Sequence, residues 1–210
     1  MFNLQKLFVL AVFAFPTVFF ASTASTASVY NTQISAGSWH NRVLDSRGVK
    51  CWGLNHLGQI NVPPLKNPRQ VSAIGWHTCA LDDTGVKCWG DNQDGQTRVP
   101  SLNNPRQVSA GGGHSCALDD AGVTCWGRNI YGESNVPLLN NPRQVALGIS
   151  HTCALEDKEI KCWGYNEHGQ TDVPPLKNPR QVSAGWDNTC ALDDEGVKCW
   201  GFNFWGQTQV

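Results

Sequence analysis

The sequence predicts an all-β protein, a β-propeller built of five 37-residue repeats. Three observations carry this. Cys-Trp-Gly recurs at Cys51, Cys88, Cys125, Cys162 and Cys199, each 37 residues after the last. Every period holds short β-type runs parted by turn residues, and no segment has helical period. The 210 residues include 21 Gly and 11 Pro, a composition of turns rather than helices. A period this regular marks a propeller, solenoid or array.

Other positions keep the same phase. Asn55, Asn92, Asn129, Asn166 and Asn203 recur, as do Gly58, Gly95, Gly132, Gly169 and Gly206. Asn-Pro-Arg-Gln returns at Asn67, Asn104, Asn141 and Asn178. Within one period, Gln70–Ala73 reads as a first strand and His77–Leu81 as a second. Asp82–Gly85 is a tight turn and Val86–Trp89 a third strand. Gly90–Gly95 is a polar loop, after which Thr97–Val99 is a short edge strand ended by Pro100. Three to four short antiparallel strands make a propeller blade. A stacked β-solenoid is the alternative, with shorter, parallel coils.

Counting five periods back from Val210 reaches Thr26, so residues 28–210 are read as the propeller domain and 1–27 as a signal peptide. Lys6 precedes an apolar run over Leu7–Phe20, and small residues follow, with cleavage after Ala24 or Ala27. The run is shorter than the roughly 20 residues a bilayer requires. A secreted or periplasmic protein follows, with no membrane contact after cleavage. The formal net charge is −1, and no basic cluster is present. Nucleic acid is therefore not an expected partner, because phosphate binding needs several cations on one face.

Four repeats carry cysteines nine apart: Cys79/Cys88, Cys116/Cys125, Cys153/Cys162 and Cys190/Cys199. In the first repeat Arg42 holds the partner position, leaving Cys51 over. If the hairpin centres between Asp83 and Thr84, Cys79 and Cys88 oppose each other and can bond. A bulge at Gly85 would separate them, although Glu159 replaces that Gly in the fourth repeat. Export favours disulfides, each closing a small loop and contributing about 2–3 kcal/mol. Buried thiols are one alternative. A metal held by His77, Cys79 and Cys88, with copies at His114 and His151, is another, and it is disfavoured because oxidation competes. No metal or cofactor is expected.

The repeats disagree at defined places. Between the Trp-Gly and the second Gly of each loop, one position reads Leu54, Asp91, Arg128, Tyr165, Phe202. The next reads His56, Gln93, Ile130, Glu167, Phe204, and a third Leu57, Asp94, Tyr131, His168, Trp205. The loop before the second strand also varies: Trp39, Trp76, Gly113, Ser150, Asp187. In up-and-down blades both variable loops leave from one end. That end gathers Trp39, Trp76, Tyr131, Tyr165, Trp186, Phe202, Phe204 and Trp205, a set suited to protein binding. The recurrent Trp52, Trp89, Trp126, Trp163 and Trp200 are expected in the blade core. The opposite rim alternates Asp82, Asp119 and Asp193 with Arg69, Arg106, Arg143 and Arg180, read as solvated ion pairs of about 0–1 kcal/mol.

The run His114–Gly132, His-Ser-Cys-Ala-Leu-Asp-Asp-Ala-Gly-Val-Thr-Cys-Trp-Gly-Arg-Asn-Ile-Tyr-Gly, resembles the repeat of the regulator of chromosome condensation family. The short period and Gly-Gln-Thr-x-Val-Pro segment are most similar to its secreted bacterial branch, which includes a propeller that inhibits β-lactamases. The resemblance implies a propeller fold and a hydrogen-bonding role for the strand-start His. It leaves function open, since members serve as exchange factors, photoreceptors, inhibitors and scaffolds. Family propellers usually have seven blades and this chain has five, so a closed five-bladed ring and an open arc both arise. Gln33–Gly37 matches the unit's first strand and could seat beside the last blade, which favours closure.

A non-catalytic protein-binding propeller, serving as inhibitor or scaffold for an extracellular or periplasmic protein, is the expected function. A glycan-binding propeller is the alternative, and it would favour one pocket repeated in each blade, whereas these loops differ. Catalysis is not expected: His56, Glu167 and His168 are the only loop candidates, and no nucleophile elbow, phosphate loop or metalloprotease motif is present.

Overall fold

The structure, a computed structural model, describes residues 32–210; the expected signal segment lies outside the described residues. Fifteen strands form five three-stranded antiparallel sheets, one per repeat. The first sheet is β1 (Gln33–Ala36), β2 (His40–Asp45) and β3 (Gly48–Gly53); the second is β4 (Gln70–Ser72), β5 (His77–Asp82) and β6 (Gly85–Gly90). The third is β7 (Gln107–Ala110), β8 (His114–Asp119) and β9 (Gly122–Gly127), and the fourth β10 (Gln144–Leu147), β11 (His151–Leu155) and β12 (Ile160–Gly164). The fifth is β13 (Gln181–Ala184), β14 (Asn188–Asp193) and β15 (Gly196–Gly201). These are the blades of a propeller, each in the sequential order of its strands.

The expected fourth strand, Thr97–Val99, is absent. Its backbone is spent on local turns instead: Arg98 N–H donates to Gly95 O, Val99 N–H to Thr97 O, and Asn92 Oδ1 accepts from Thr97 N–H. A segment whose N–H groups are so bound has no donors left for a ladder.

Within each blade the second hairpin is unbulged. Asp82 pairs with Gly85, so Asp83-Thr84 is a two-residue turn, and Cys79 stands opposite Cys88. Gly85 takes φ of +117°, a conformation that side chains rarely tolerate. Disulfides join all four pairs, Cys79–Cys88, Cys116–Cys125, Cys153–Cys162 and Cys190–Cys199, with Cα atoms 4.0–4.1 Å apart. In the first blade Arg42 sits opposite Cys51 in the same register. Its guanidinium is fully buried, donating to Ser35 O and Ala73 O, and Cys51 keeps a free thiol.

Neighbouring blades are joined by one interface used four times. Leu81 packs with Val108, Leu118 with Val145, and Leu155 with Val182. Glutamines of the first strands reach the next blade's backbone: Gln107 donates to Val145 O and accepts from Val145 N–H, Gln144 does the same with Val182, and Gln70 accepts from Val108 N–H. His40, His77, His114 and His151 each set Nε2 2.8–2.9 Å from a Thr or Ser hydroxyl of the following blade. The expected hydrogen-bonding role of these His is thus what the structure shows. Trp89, Trp126, Trp163 and Trp200 each donate from Nε1 to a main-chain carbonyl of the preceding blade's loop.

The halves of this interface at the two ends are unmatched. Ile34, the counterpart of Val108, is 80% exposed, and Leu192, the counterpart of Leu81, is 37% exposed. Closure of the ring is therefore not seen among the described residues. The same unmatched end corrects the placement of Trp52, which is 49% exposed rather than core: among the described residues no loop covers its ring as the preceding blade's loop covers Trp89 and Trp126.

Candidate functional site

Both variable loops leave from the same end of the blades, and a main-chain hydrogen bond ties them together in every repeat. The first residue after Trp-Gly donates to the loop before the second strand: Leu54 N–H to Trp39 O, Asp91 to Trp76, Arg128 to Gly113, Tyr165 to Ser150 and Phe202 to Asp187. The Gly at the end of each third strand makes this approach possible. A Cβ on Gly90 would come within 2.7 Å of Trp76 O. The loop itself is stiffened from inside. Asn92 Oδ1 accepts from Thr97 N–H, and the buried Gln96 accepts from Asp94 N–H. Recurrent residues thus build the frame, and the variable ones project from it.

The aromatic side chains form two strips. Trp39 stacks on Trp76 with centroids 6.2 Å apart, and His56 meets Trp76 edge-on at 5.2 Å. The longer strip runs over the third to fifth blades: Tyr131–Tyr165 (4.8 Å), Tyr165–His168 (6.1 Å), His168–Phe202 (4.8 Å), Phe202–Phe204 (6.4 Å) and Phe204–Trp205 (4.7 Å). Phe204 and Trp205 are 75% and 80% exposed. Trp186 is exposed too but belongs to neither ring chain. Of the eight aromatic residues singled out in the sequence, seven are therefore brought into ring contact and one stands apart.

Two side chains escaped the aromatic criterion. His168 links Tyr165 to Phe202, and Ile130, 73% exposed, extends the apolar surface beside Tyr131 in sequence. Both occupy positions where all five repeats differ, the signal that could have found them. Between the strips the surface is polar. Arg128 pairs with the buried Glu133 at 3.0 Å and also donates to Ile149 O and Ser150 Oγ across the blade boundary. Around Tyr165 the field is negative. Its hydroxyl donates to Glu167 at 2.8 Å, and this bond, desolvation and the charges of Glu167 and Asp187 push the phenol up to about 12.

The opposite end corrects the sequence reading. Asp82, Asp119 and Asp193 are buried, not solvated partners of a rim arginine. Asp82 accepts from Lys66 N–H, Thr84 N–H, Thr84 Oγ1 and Lys87 Nζ. These acceptor bonds hold the incoming strap and the hairpin turn together. Burial alone would raise the Asp82 carboxyl, but the donors win and hold it below the usual carboxylate range. The arginines lie on the next acid along: Arg106 on Asp120, Arg143 on Asp157 and Arg180 on Asp194, all exposed pairs at 3.3–3.8 Å. No group of three or more His, Cys, Asp or Glu among the described residues could hold a metal ion. Likewise, no helix among the described residues is long and apolar enough to cross a membrane.

The model of the regulator of chromosome condensation (RCC1) repeat matches residues 32–59, 69–96, 106–133, 143–170 and 180–207. The chain belongs to this family. Each match covers one RCC1 repeat from its first strand to its variable loop. No curated protein matches the chain. Among solved structures it is similar to the ectodomain of the receptor kinase CR4 of Physcomitrella patens, at 27% identity and a TM-score of 0.69, covering 81% of this chain and 52% of that one. The ectodomain of the Arabidopsis thaliana receptor kinase ACR4 is 27% identical, with a TM-score of 0.65 and coverage of 81% and 63%. Prp20p of Saccharomyces cerevisiae, described with its binding to Gsp1p and histones, is 20% identical with a TM-score of 0.69 over 81% and 58%, a likeness of fold alone. The RCC1-repeat chain thus spans between half and two-thirds of the length of these structures.

Proposed function

We propose that this protein is a non-catalytic binding module that grips a partner protein with the variable-loop end of its blades. The observation that carries the reading is the strip from Tyr131 to Trp205, six rings in succession on loops whose framework recurs while these side chains do not. Large rings fixed by few rotatable bonds give contact area at low entropic cost. A rigid scaffold carrying such loops is how binding surfaces are commonly built. Prp20p, a protein of the same fold, is described by what it binds, and that lends support of the same kind. Four disulfides favour an oxidising compartment, so the partner is taken to be extracellular or periplasmic and the protein its inhibitor or scaffold.

The test is affinity capture from the native medium by the oxidised protein and by a Phe204→Ala/Trp205→Ala variant with unchanged circular dichroism. The reading expects a co-purifying protein whose capture falls at least tenfold in the variant. Undiminished capture, or strong binding of one glycan class on an array, would overturn it.

A further inference from the structure

The loop end is not only aromatic; its net charge is negative. Its acidic residues are Asp91, Asp94, Glu133, Glu167, Asp172 and Asp187, against Arg98 and Arg128 as the basic ones. Arg128 is spent on Glu133 inside the loop. At the far end, by contrast, lysines and arginines are paired with carboxylates blade by blade. Among the described residues, the excess acid at the loop end therefore has no ion-pair partner to match it. It is also concentrated where the rings are: Glu167 holds the Tyr165 hydroxyl, and Asp187 accepts from Gln170 beneath the same loop.

We infer that the partner presents a cationic side chain, arginine or lysine, flanked by apolar residues, and that it seats on Tyr131 and Tyr165 between Glu167 and Asp187. This rests on the reading of the loop end as a protein-binding face. The complementarity is of two kinds. A guanidinium or ammonium over the face of a Tyr ring is attracted by the ring's quadrupole, and more strongly as water leaves. Glu167 accepts from the Tyr165 hydroxyl and Asp187 acts electrostatically on the same phenol, so both carboxylates attract that cation, while Phe202, Phe204 and Trp205 continue the apolar surface for the flanking residues. An anionic partner would meet like charge at the same spot, which gives the face a means of rejecting wrong partners.

The probe is a set of three blocked tripeptides, acetyl-Leu-Arg-Leu-amide and its Gln and Glu counterparts, titrated against the oxidised protein with aromatic and backbone amide resonances followed by NMR. The inference expects the Arg peptide to shift Tyr131, Tyr165 and His168 and to bind about tenfold more tightly than the Gln peptide. Binding of the Glu peptide is expected to be the weakest. The preference should vanish in a Glu167→Gln/Asp187→Asn variant and shrink with added salt. Equal binding of the Arg and Gln peptides, still dependent on Phe204 and Trp205, would overturn the inference and leave the binding-face reading standing. Shifts centred on Asp120 or Asp157 at the other end, or no shift with any peptide, would also overturn it. The capture assay decides the wider reading separately.

Discussion

His77 Nε2 lies 2.8 Å from the hydroxyl of Ser115 in the next blade, and that hydroxyl donates onward to Gln96 O. The Ser proton is thus committed, so His77 must be the donor through Nε2–H, and its Nδ1 is left as a buried nitrogen without a partner. His114 and His151 repeat the arrangement with Thr152 and Thr189. A second ring proton would have no acceptor, and burial adds its own penalty to the charged form. His77 and His114 are accordingly lowered to about 3, and His40 and His151 to about 4, with desolvation the largest cause in each.

A pH dependence follows from the sign of these shifts. Between about pH 6.5 and pH 4 the unfolded chain binds protons at these histidines and the folded one does not, so stability rises with pH. Their contribution is complete above pH 6.5, is lost progressively as pH falls from there through the folded values, and is gone below about 3. The slope is bounded by about 1.4 kcal/mol per pH unit per histidine. Urea melts at pH 7, 5.5 and 4 should show steep acid destabilisation. In a His114→Gln variant, less stable at pH 7, the slope should shrink by about one histidine's share.

The first blade gives a prediction about redox state. Arg42 and Cys51 are paired in the register that Cys79 and Cys88 use. Arg42→Cys should therefore yield a fifth disulfide. The mutant is expected to show no titratable thiol when oxidised, against one in the parent, and to gain up to about 2–3 kcal/mol from loop closure. Loss of the buried guanidinium's bonds to Ser35 O and Ala73 O offsets part of that gain. Thiol titration with intact mass under non-reducing conditions reads the outcome. Two free thiols per chain would show that the first blade's register differs from the rest.

The buried carboxylate at the far end supports a third prediction. Asp82→Ala strips the acceptor from Lys66 N–H and Thr84 N–H and leaves Lys87 with only the Pro64 carbonyl to donate to. A cost of about 2–4 kcal/mol is expected in chemical denaturation, several times that of removing the exposed Asp120 from Arg106. Equal costs at the two sites would place the structural weight elsewhere.

Much of this was legible from spacing alone. A 37-residue period and paired turn residues determine the blade, and the hairpin centre at Asp83-Thr84 determines that Cys79 faces Cys88. Other features depend on neighbours that a period does not reveal. Asp82 looks like an exposed turn residue because its donors come from Lys66, sixteen positions earlier, as well as from its own hairpin. Trp52 looks like Trp89 because the repeat is the same; its exposure comes from lacking, among the described residues, the neighbouring loop that covers Trp89. At the loop end, variability marks the exposed positions, but the Phe, Tyr and Trp pattern alone does not mark His168, which bridges the rings of Tyr165 and Phe202.

The most direct measurement is hydrogen–deuterium exchange of the oxidised protein with and without its captured partner. Protection should fall on the loops 54–57, 91–94, 128–131, 165–168 and 202–205, strongest over the last three, with the hairpin turns at 82–85, 119–122, 156–159 and 193–196 unchanged. Protection concentrated at those turns, or spread evenly over both ends, would contradict a partner-binding face at the variable loops.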